Sequence, residues 1–466
     1  MSVGKLTNNI KNLLAESARN DIRNTEKDDT YYIYIAYTDS EDYPFADSDL
    51  SESTLDSDLT VLYKNIVTMH RVLPGGVSRV IDRKNWVRNA QYVGWYNGIS
   101  NDSDYYVLTT EIIQGVARQN VYKCLFSPTR TISTVAPTGT GSQPFRTADE
   151  YIWQFMYTVT NSEALLFQNS LYMPVPEKVT KTEAETLSTS VPRYSQYQVQ
   201  NNAVEGGVYN IRVNPRAGDS DVINKSTKTT IKIRGLDGTG STPSKYFQAT
   251  ATRNNDSDRL WKFVVTQFGE GYDAIPFAVD SEDNTKLDIF KLDISPGLGH
   301  GTDAGNELNA ANLMLTSRSV PADDTGFAKL ATNDFSVLGV LKNPIDANTD
   351  LIATKDYYTV AEKILTDIPA LFQEDEVFYK SGDSDFAGKV IASVGRELFY
   401  INVGKLENVF ADSDSIVSST HSNGITKKYG REIKLNSGTF ITVDYLTESI
   451  KRSADQIESL NIILKL

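Results

Sequence analysis

Carboxylates, three histidines and one cysteine are the side chains through which this chain could do chemistry. Adjacent acids stand at Asp149-Glu150 and at Glu374-Asp375-Glu376. A glycoside hydrolase needs two carboxyl groups about 5–10 Å apart, one as general acid and the other as nucleophile or base. With 60 acidic residues such neighbours arise by chance, and nothing around them marks a site. His70, His300 and His421 are far apart and form no H-E-x-x-H pair, so no zinc motif is legible. A Ser-His-Asp triad meets only in the fold, and no G-x-S-x-G elbow announces one. "SPGLGHG", Ser295 to Gly301, has the glycines of a phosphate loop. It lacks the Lys-Ser/Thr of a P-loop and fits no dinucleotide fingerprint, so it reads as a tight turn carrying His300.

The tripeptide Asp-Ser-Asp occurs seven times, at 47–49, 56–58, 102–104, 219–221, 256–258, 383–385 and 412–414. A calcium loop adds a glycine turn and a distal bidentate carboxylate, and none of the seven continues that way. Asp and Ser in turns bond their own backbone. Asp56 and Asp58 fall in the first turn of an expected helix, where negative charge meets the dipole. Cys124 lies in the strand-like "NVYKCLFSP" and reads as a small buried hydrophobe. With one cysteine no disulfide forms within the chain, which suits a reducing cytosol. These patterns predict no catalytic residue, no cofactor and no metal. The chain reads as a non-enzyme.

The elements that would position such residues are mostly strands. Leu6, Ile10, Leu13, Leu14, Ala18 and Ile22 recur at helical spacing, predicting an N-terminal helix that docks on the body or on a partner. "YYIYIAYT" (31–38) is apolar on both faces, as a buried central strand would be. The acidic loop "DSEDYPFADSDLSES" follows. Leu55, Leu59, Leu62, Tyr63 and Ile66 then predict a second helix, with Pro74 just beyond its end. In "DEYIWQFMYTV" the odd positions Tyr151, Trp153, Phe155, Tyr157 and Val159 form one aromatic face. That period of two predicts a core strand. Residues 206–295 carry a weak echo of strand, glycine turn, strand, read as a tandem repeat. The closing "SLNIILKL" alternates as a terminal strand pinned into a sheet does.

At 466 residues, with roughly 150 per domain, about three domains are expected. The net charge of −14 repels phosphate backbones, and no Lys/Arg stripe offsets it, so nucleic acid is not an expected partner. Residues 1–25 lack the apolar core of a signal peptide, and no apolar run reaches the length of a membrane span. The expectation is a protein made and used without crossing a membrane by the usual export route.

"VLPGGVSRVIDRKNW", Val72 to Trp86, carries three cations, one carboxylate, a rigid turn and a tryptophan. With His70 and Arg71 before it, the segment resembles the region after the second helix in the small dimeric baseplate wedge protein of contractile-tailed, T-even-like bacteriophages. "NVYKCLFSP", "TADEYIWQFMYTV", "SLYMPVPEKV", "FSVLGVLKNPIDA" and "YLTESIKRSADQIESLNIILKL" resemble further segments of that family in the same order. The resemblance covers roughly 30–180, 330–347 and 440–466, while 206–330 and 348–440 look like added β modules. It implies a mainly β fold with minor α, built of β-sandwich-like domains. The expected division is a helical segment at 1–30 and a core at 31–205, to which 331–347 and 440–466 return. Inserted modules occupy 206–330 and 348–439.

The resemblance further implies a homodimer packed against other wedge proteins in the virion's tail baseplate, assembled in the bacterial host cytoplasm. Pro74, Arg79, Arg83, Lys84 and Trp86 are then expected at a fold corner or a subunit interface. Pro74 and its glycines would end the helix and reverse the chain, Trp86 would plug a core or interface, and the three cations would meet a partner's carboxylates or form a solvated charged face. The alternative is a virion-associated carbohydrate-binding or glycan-depolymerising β protein, with exposed tyrosines and acidic clefts for sugar recognition.

Overall fold

A computed structural model of the chain describes residues 7–37, 56–113, 115–128, 131–214, 228–253, 261–317, 335–405, 408–450 and 460–465. Of the described residues 43% are strand and 13% helix, so the architecture is mainly β, as expected, with several sheets and small barrel-like modules. The acidic 39–53 loop and the Asp-Ser-Asp triplets at 47–49, 219–221 and 256–258 lie outside the described residues. The chain divides into two compact units: 1–16, 78–313 and 465–466 form one, and 17–77 with 314–464 form the other. This division falls inside the expected 31–205 core, at Ser78.

In the first unit a four-stranded antiparallel sheet runs in the order Tyr106–Ile113, Val116–Phe126, Ile152–Val159, Phe145–Arg146. The first two strands form a tight hairpin in full register from Tyr106↔Lys123 to Ile113↔Val116. Gly115 closes it at φ 79°, a conformation glycine adopts without steric cost. Every residue of Ile152–Val159 is buried, but its expected single aromatic face is broken. Val121 opposes Tyr157 while Tyr122 opposes Phe155, leaving Met156 as an extra residue. Such a bulge puts neighbours on the wrong side of the pleat. Tyr151, Trp153 and Phe155 therefore pack with Tyr122 and Cys124, whereas Tyr157 and Val159 pack with Met156, Leu108 and Val121.

The same unit holds a six-stranded antiparallel sheet, ordered 262–267, 248–252, 230–236, 277–280, 286–294, 208–213. Buried and outward residues alternate along it, so one side of the sheet encloses the core of Trp261, Phe263, Ile289, Leu292, Ile231 and Phe247. Val208 and Gly269 exchange backbone hydrogen bonds of 3.0 and 2.9 Å, which brings the two edges together. The strand order reads the same when 208–213, 230–236 and 248–252 are exchanged for 262–267, 277–280 and 286–294, in keeping with the expected tandem repeat. Strands from both echoing stretches interleave around one shared core.

The second unit centres on a five-stranded antiparallel sheet ordered 357–359, 66–72, 31–36, 335–342, 439–450. Tyr31–Ala36 is buried at every position, as its two apolar faces require. The second helix spans Asp56–Asn65, and Leu62 and Tyr63 point into the core. Ile66 does not extend it. Ile66–Val72 is a strand, because Ile66, Val67 and Thr68 are β-branched and suit a pleated surface. Pro74 accordingly ends no helix: Pro74–Gly76 is a short 3₁₀ turn between strands. A closed barrel in the order 362–366, 397–402, 383–394, 377–380, 415–417, 422–429 completes this unit, around Phe378, Tyr400 and Phe410. Closure removes sheet edges, so the expected inserted β module at 348–439 takes the form of a barrel.

Two ends of the chain differ in outcome. Asn461–Lys465 is a strand, and Ser317 and Leu460 exchange hydrogen bonds beside it. Helix Asn8–Arg23 forms, yet Ile10, Leu13 and Leu14 lie exposed while Asn12 and Ala15 are buried. Among the described residues no helix is long and apolar enough to cross a membrane.

Gly339 gives a first test of this packing. A Cβ there would collide with the Thr442 carbonyl and the Tyr34 ring across the sheet. Gly339→Ala should cost about 1–3 kcal/mol, as overpacking of a filled core does. Chemical denaturation measures it; an unchanged midpoint would refute the close approach.

Candidate functional site

The Val72–Trp86 segment is a fold corner whose cations are engaged inside the chain. Arg79 is 3% exposed. Its Nε donates to the Ala310 carbonyl at 2.7 Å and its Nη2 to Asn12 Oδ1 at 3.0 Å. A residue so enclosed cannot reach a partner's carboxylate, which corrects the expectation for Arg79. Arg83 Nε donates to Asn85 Oδ1 at 3.2 Å and Nη1 to the Asn169 carbonyl at 3.0 Å. Lys84 Nζ donates to the Asn101 and Ser103 carbonyls, at 3.1 and 2.8 Å, and lies 3.3 Å from Asp104 Oδ1. Trp86 is partly buried against the Trp153 cluster, with Nε1 donating to Ser133 Oγ at 3.1 Å.

The strongest concentration of chemistry lies elsewhere. Lys123, inside strand Val116–Phe126, is wholly buried. Its Nζ stands 2.7 Å from Glu307 Oε2 and 3.0 Å from His300 Nδ1. Glu307 ends the short helix Ala304–Glu307, and its Oε1 accepts the N–H groups of Gly301 at 2.8 Å and Asp303 at 3.1 Å. Trp95 covers the ammonium with its ring centroid 4.1 Å away, and Trp95 and Tyr209 both meet the His300 ring edge-on. Burial pushes the Lys123 amine down against the pull of Glu307. Burial and the neighbouring Lys123 charge hold His300 down to about 4. Burial alone would raise Glu307, but Lys123 and His300 outweigh it and hold the carboxyl at about 2.

"SPGLGHG" is the tight turn the sequence predicts. Leu298, Gly299 and Gly301 all have positive φ, and a Cβ on Gly299 would strike the Val204 backbone. The turn delivers His300 and the Gly301 N–H to the buried cluster. Sequence reasoning singled out His300 but missed Lys123 and Glu307. One signal was legible: a lysine within the apolar strand run "VYKCLF" is buried on either face, and buried lysines are paired.

His421 meets Ser418 and Glu376, but not as a triad. Ser418 Oγ donates to Glu376 Oε1, Thr420 Oγ1 donates to it at 2.9 Å, and His421 Nδ1 lies 3.2 Å from the same oxygen. A nucleophilic triad places the imidazole between hydroxyl and acid. Here the carboxylate is the hub. Despite burial, which raises it, hydrogen bonding led by Ser418 lowers Glu376 to about 2.

Asp149 likewise organises a turn, accepting from the N–H groups of Thr134 and Val135 at 2.7 and 3.0 Å, while Glu150 pairs with Arg146. Asp375 pairs with Lys389 at 3.4 Å. In the described Asp-Ser-Asp triplets, Asp104 pairs with Lys84, Asp385 with Lys405 and Asp414 with Lys380. His70 is buried on the strand 66–72.

Cys124 is fully buried, and burial pushes its thiol well up. Reactivity follows the thiolate and its access. A thiol reagent such as DTNB should leave Cys124 untouched in the native protein and label it fully on unfolding. Rapid native labelling would contradict its placement.

Exposed apolar residues gather at one end of the hairpin sheet. Ile112 is 78% exposed and Val116 54%, both at the hairpin tip. Gln119 opposes Val159, so helix Asn161–Phe167 leaves the sheet at that same end. It bears Leu165, 86% exposed, and Leu171 follows it, also exposed. The Arg83 N–H donates to the Leu171 carbonyl at 2.7 Å, joining the end of the Val72–Trp86 segment to this surface. On the 362–429 barrel, an open cleft of about 420 Å³ is lined by Tyr379, Ser384, Asp385 and Lys405. Compared with known proteins, the chain matches no family model and no curated protein sequence.

Proposed function

We propose that this chain is a structural component of a phage contractile-tail baseplate wedge. It would act as a homodimer that holds neighbouring wedge proteins through broad interfaces and repositions when the sheath contracts. The mechanism is mechanical, located in the virion, with assembly in the bacterial host cytoplasm. The exposed apolar surface of Ile112, Val116, Leu165 and Leu171 carries the reading. Large apolar side chains left in water at one end of a sheet mark an interaction site, since a free monomer gains nothing from wetting them. It falls inside the span that resembles the wedge protein, next to the segment on which that resemblance begins.

The buried chemistry points the same way. Lys123, Glu307, Glu376 and Asp149 are each satisfied by internal partners, and the described cleft holds one tyrosine and one ion pair. Both suit a stiff body with functional outer faces.

The test is a double substitution on that face, Ile112→Asp with Leu165→Asp. Both positions face water, so the isolated protein should fold with unchanged circular dichroism. Incorporation into purified baseplates should fall by about tenfold or more, the loss expected when interface anchors are removed. Normal incorporation of a folded variant, or turnover of a glycan by the purified wild type, would end this reading.

A further inference from the structure

The cluster of Lys123, Glu307 and His300 has the parts of an amide-forming site, and the geometry points to an intramolecular isopeptide bond between Lys123 Nζ and Glu307 Cδ. This inference stands apart from the baseplate reading, since it concerns the chemistry of the folded chain itself.

Three features of the site carry it. The nucleophile and electrophile are already in contact, Nζ lying 2.7 Å from Oε2 on a carboxyl that cannot turn away. Its other oxygen, Oε1, is held by the N–H groups of Gly301 and Asp303. Two fixed donors aimed at one carboxyl oxygen stabilise the negative charge that grows there when an amine attacks the carbon. His300 Nδ1 lies 3.0 Å from the nitrogen that must lose protons and 3.6 Å from the oxygen that must gain them. That is the station of a general base that later serves as general acid.

The surroundings favour the reaction. Lys123, Glu307 and His300 side chains are 0, 3 and 5% exposed, walled by the rings of Trp95 and Tyr209. An ion pair so far from water loses the hydration of both charges, so the neutral amine and acid become accessible by one proton transfer. Effective concentrations in such fixed contacts reach about 10⁵ M and above. The step balances without a co-reactant. Nζ–Cδ forms and Cδ–Oε2 breaks. Two protons of the ammonium leave with Oε2 as water, and the third stays on the amide nitrogen. The product keeps the polar contacts of the site: its N–H faces His300 Nδ1, and Oε1 still accepts from Gly301 and Asp303. The bond would clamp the hairpin sheet to the 295–307 turn across 184 residues of chain.

Intact mass and a peptide map of the full-length purified protein test this. The expected result is a deficit of one water molecule and a branched peptide joining Lys123 to Glu307. In denaturing electrophoresis the closed loop should migrate ahead of the Lys123→Met and Glu307→Leu variants, both at full mass. His300→Ala should fold yet accumulate the branched peptide more slowly after synthesis. If the single variants fail to fold, the wild-type map still decides. Recovery of both linear peptides, with the full sequence mass, overturns the proposal.

Discussion

Replacing Glu307 with leucine is expected to lower the stability of the 78–313 unit by about 3–5 kcal/mol, the usual result of stranding one member of a buried charged pair. Lys123→Met should cost a similar amount, because Glu307 is then left with its charge in an apolar enclosure. The double variant should lose much less than the sum. Residues in direct contact couple by about 0.5–3 kcal/mol, and here each single change removes the charged partner 2.7 Å from the other. The expectation holds whether Lys123 and Glu307 meet as ions or as an amide, since either single change strands the remaining group. Urea unfolding followed by tryptophan fluorescence reads it. Additive losses, or single losses below about 1 kcal/mol, would mean that water reaches the site after all.

Strands were legible wherever burial alternated or was total. Tyr31–Ala36 is apolar on both faces and Ile152–Val159 carries an aromatic alternation, and both lie buried throughout. The Met156 bulge was not legible, because it depends on which residue of the opposite strand each position meets. Ile66–Val72 was misread for a different reason. Leu59, Leu62, Tyr63 and Ile66 keep helical spacing, but that spacing outlasts the helix by one residue, and the β-branched run that follows is the better guide.

The site was harder to read than the fold. Glu307 sits among polar residues with nothing in its neighbourhood to mark it, and it meets Lys123 only through a contact 184 residues distant. Arg79 was misassigned because a cation in a strand looks exposed unless its acceptors, the Ala310 carbonyl and Asn12, are known. The N-terminal helix shows the same limit: periodicity found its apolar side, while packing left Leu13 65% exposed. Spacing tells which side chains share a face; it does not tell which face the rest of the chain will cover.

A second large effect should appear on acidification. His300 is held at about 4 in the folded protein, by burial first and the Lys123 charge second, against 6.5 in an unfolded chain. Between those values the unfolded state binds the extra proton, so stability falls as pH falls through this window. The drop amounts to about 3 kcal/mol between pH 6.5 and 4, at about 1.4 kcal/mol per pH unit. Among the described residues the groups facing His300 are Lys123, Glu307, Trp95 and Tyr209, and burial lowers the Lys123 amine against the pull of Glu307. Glu307, held at about 2, has the same sign but acts below its ordinary 4.5. Asp293, which burial raises despite Arg212, acts with the opposite sign from 3.8 upward and softens the low end. Substituting His300 by leucine should flatten the slope between pH 6.5 and about 4.5 whatever it does to stability at pH 7, and that slope is the quantity to measure. A slope that survives His300→Leu would place the acid sensitivity on other groups.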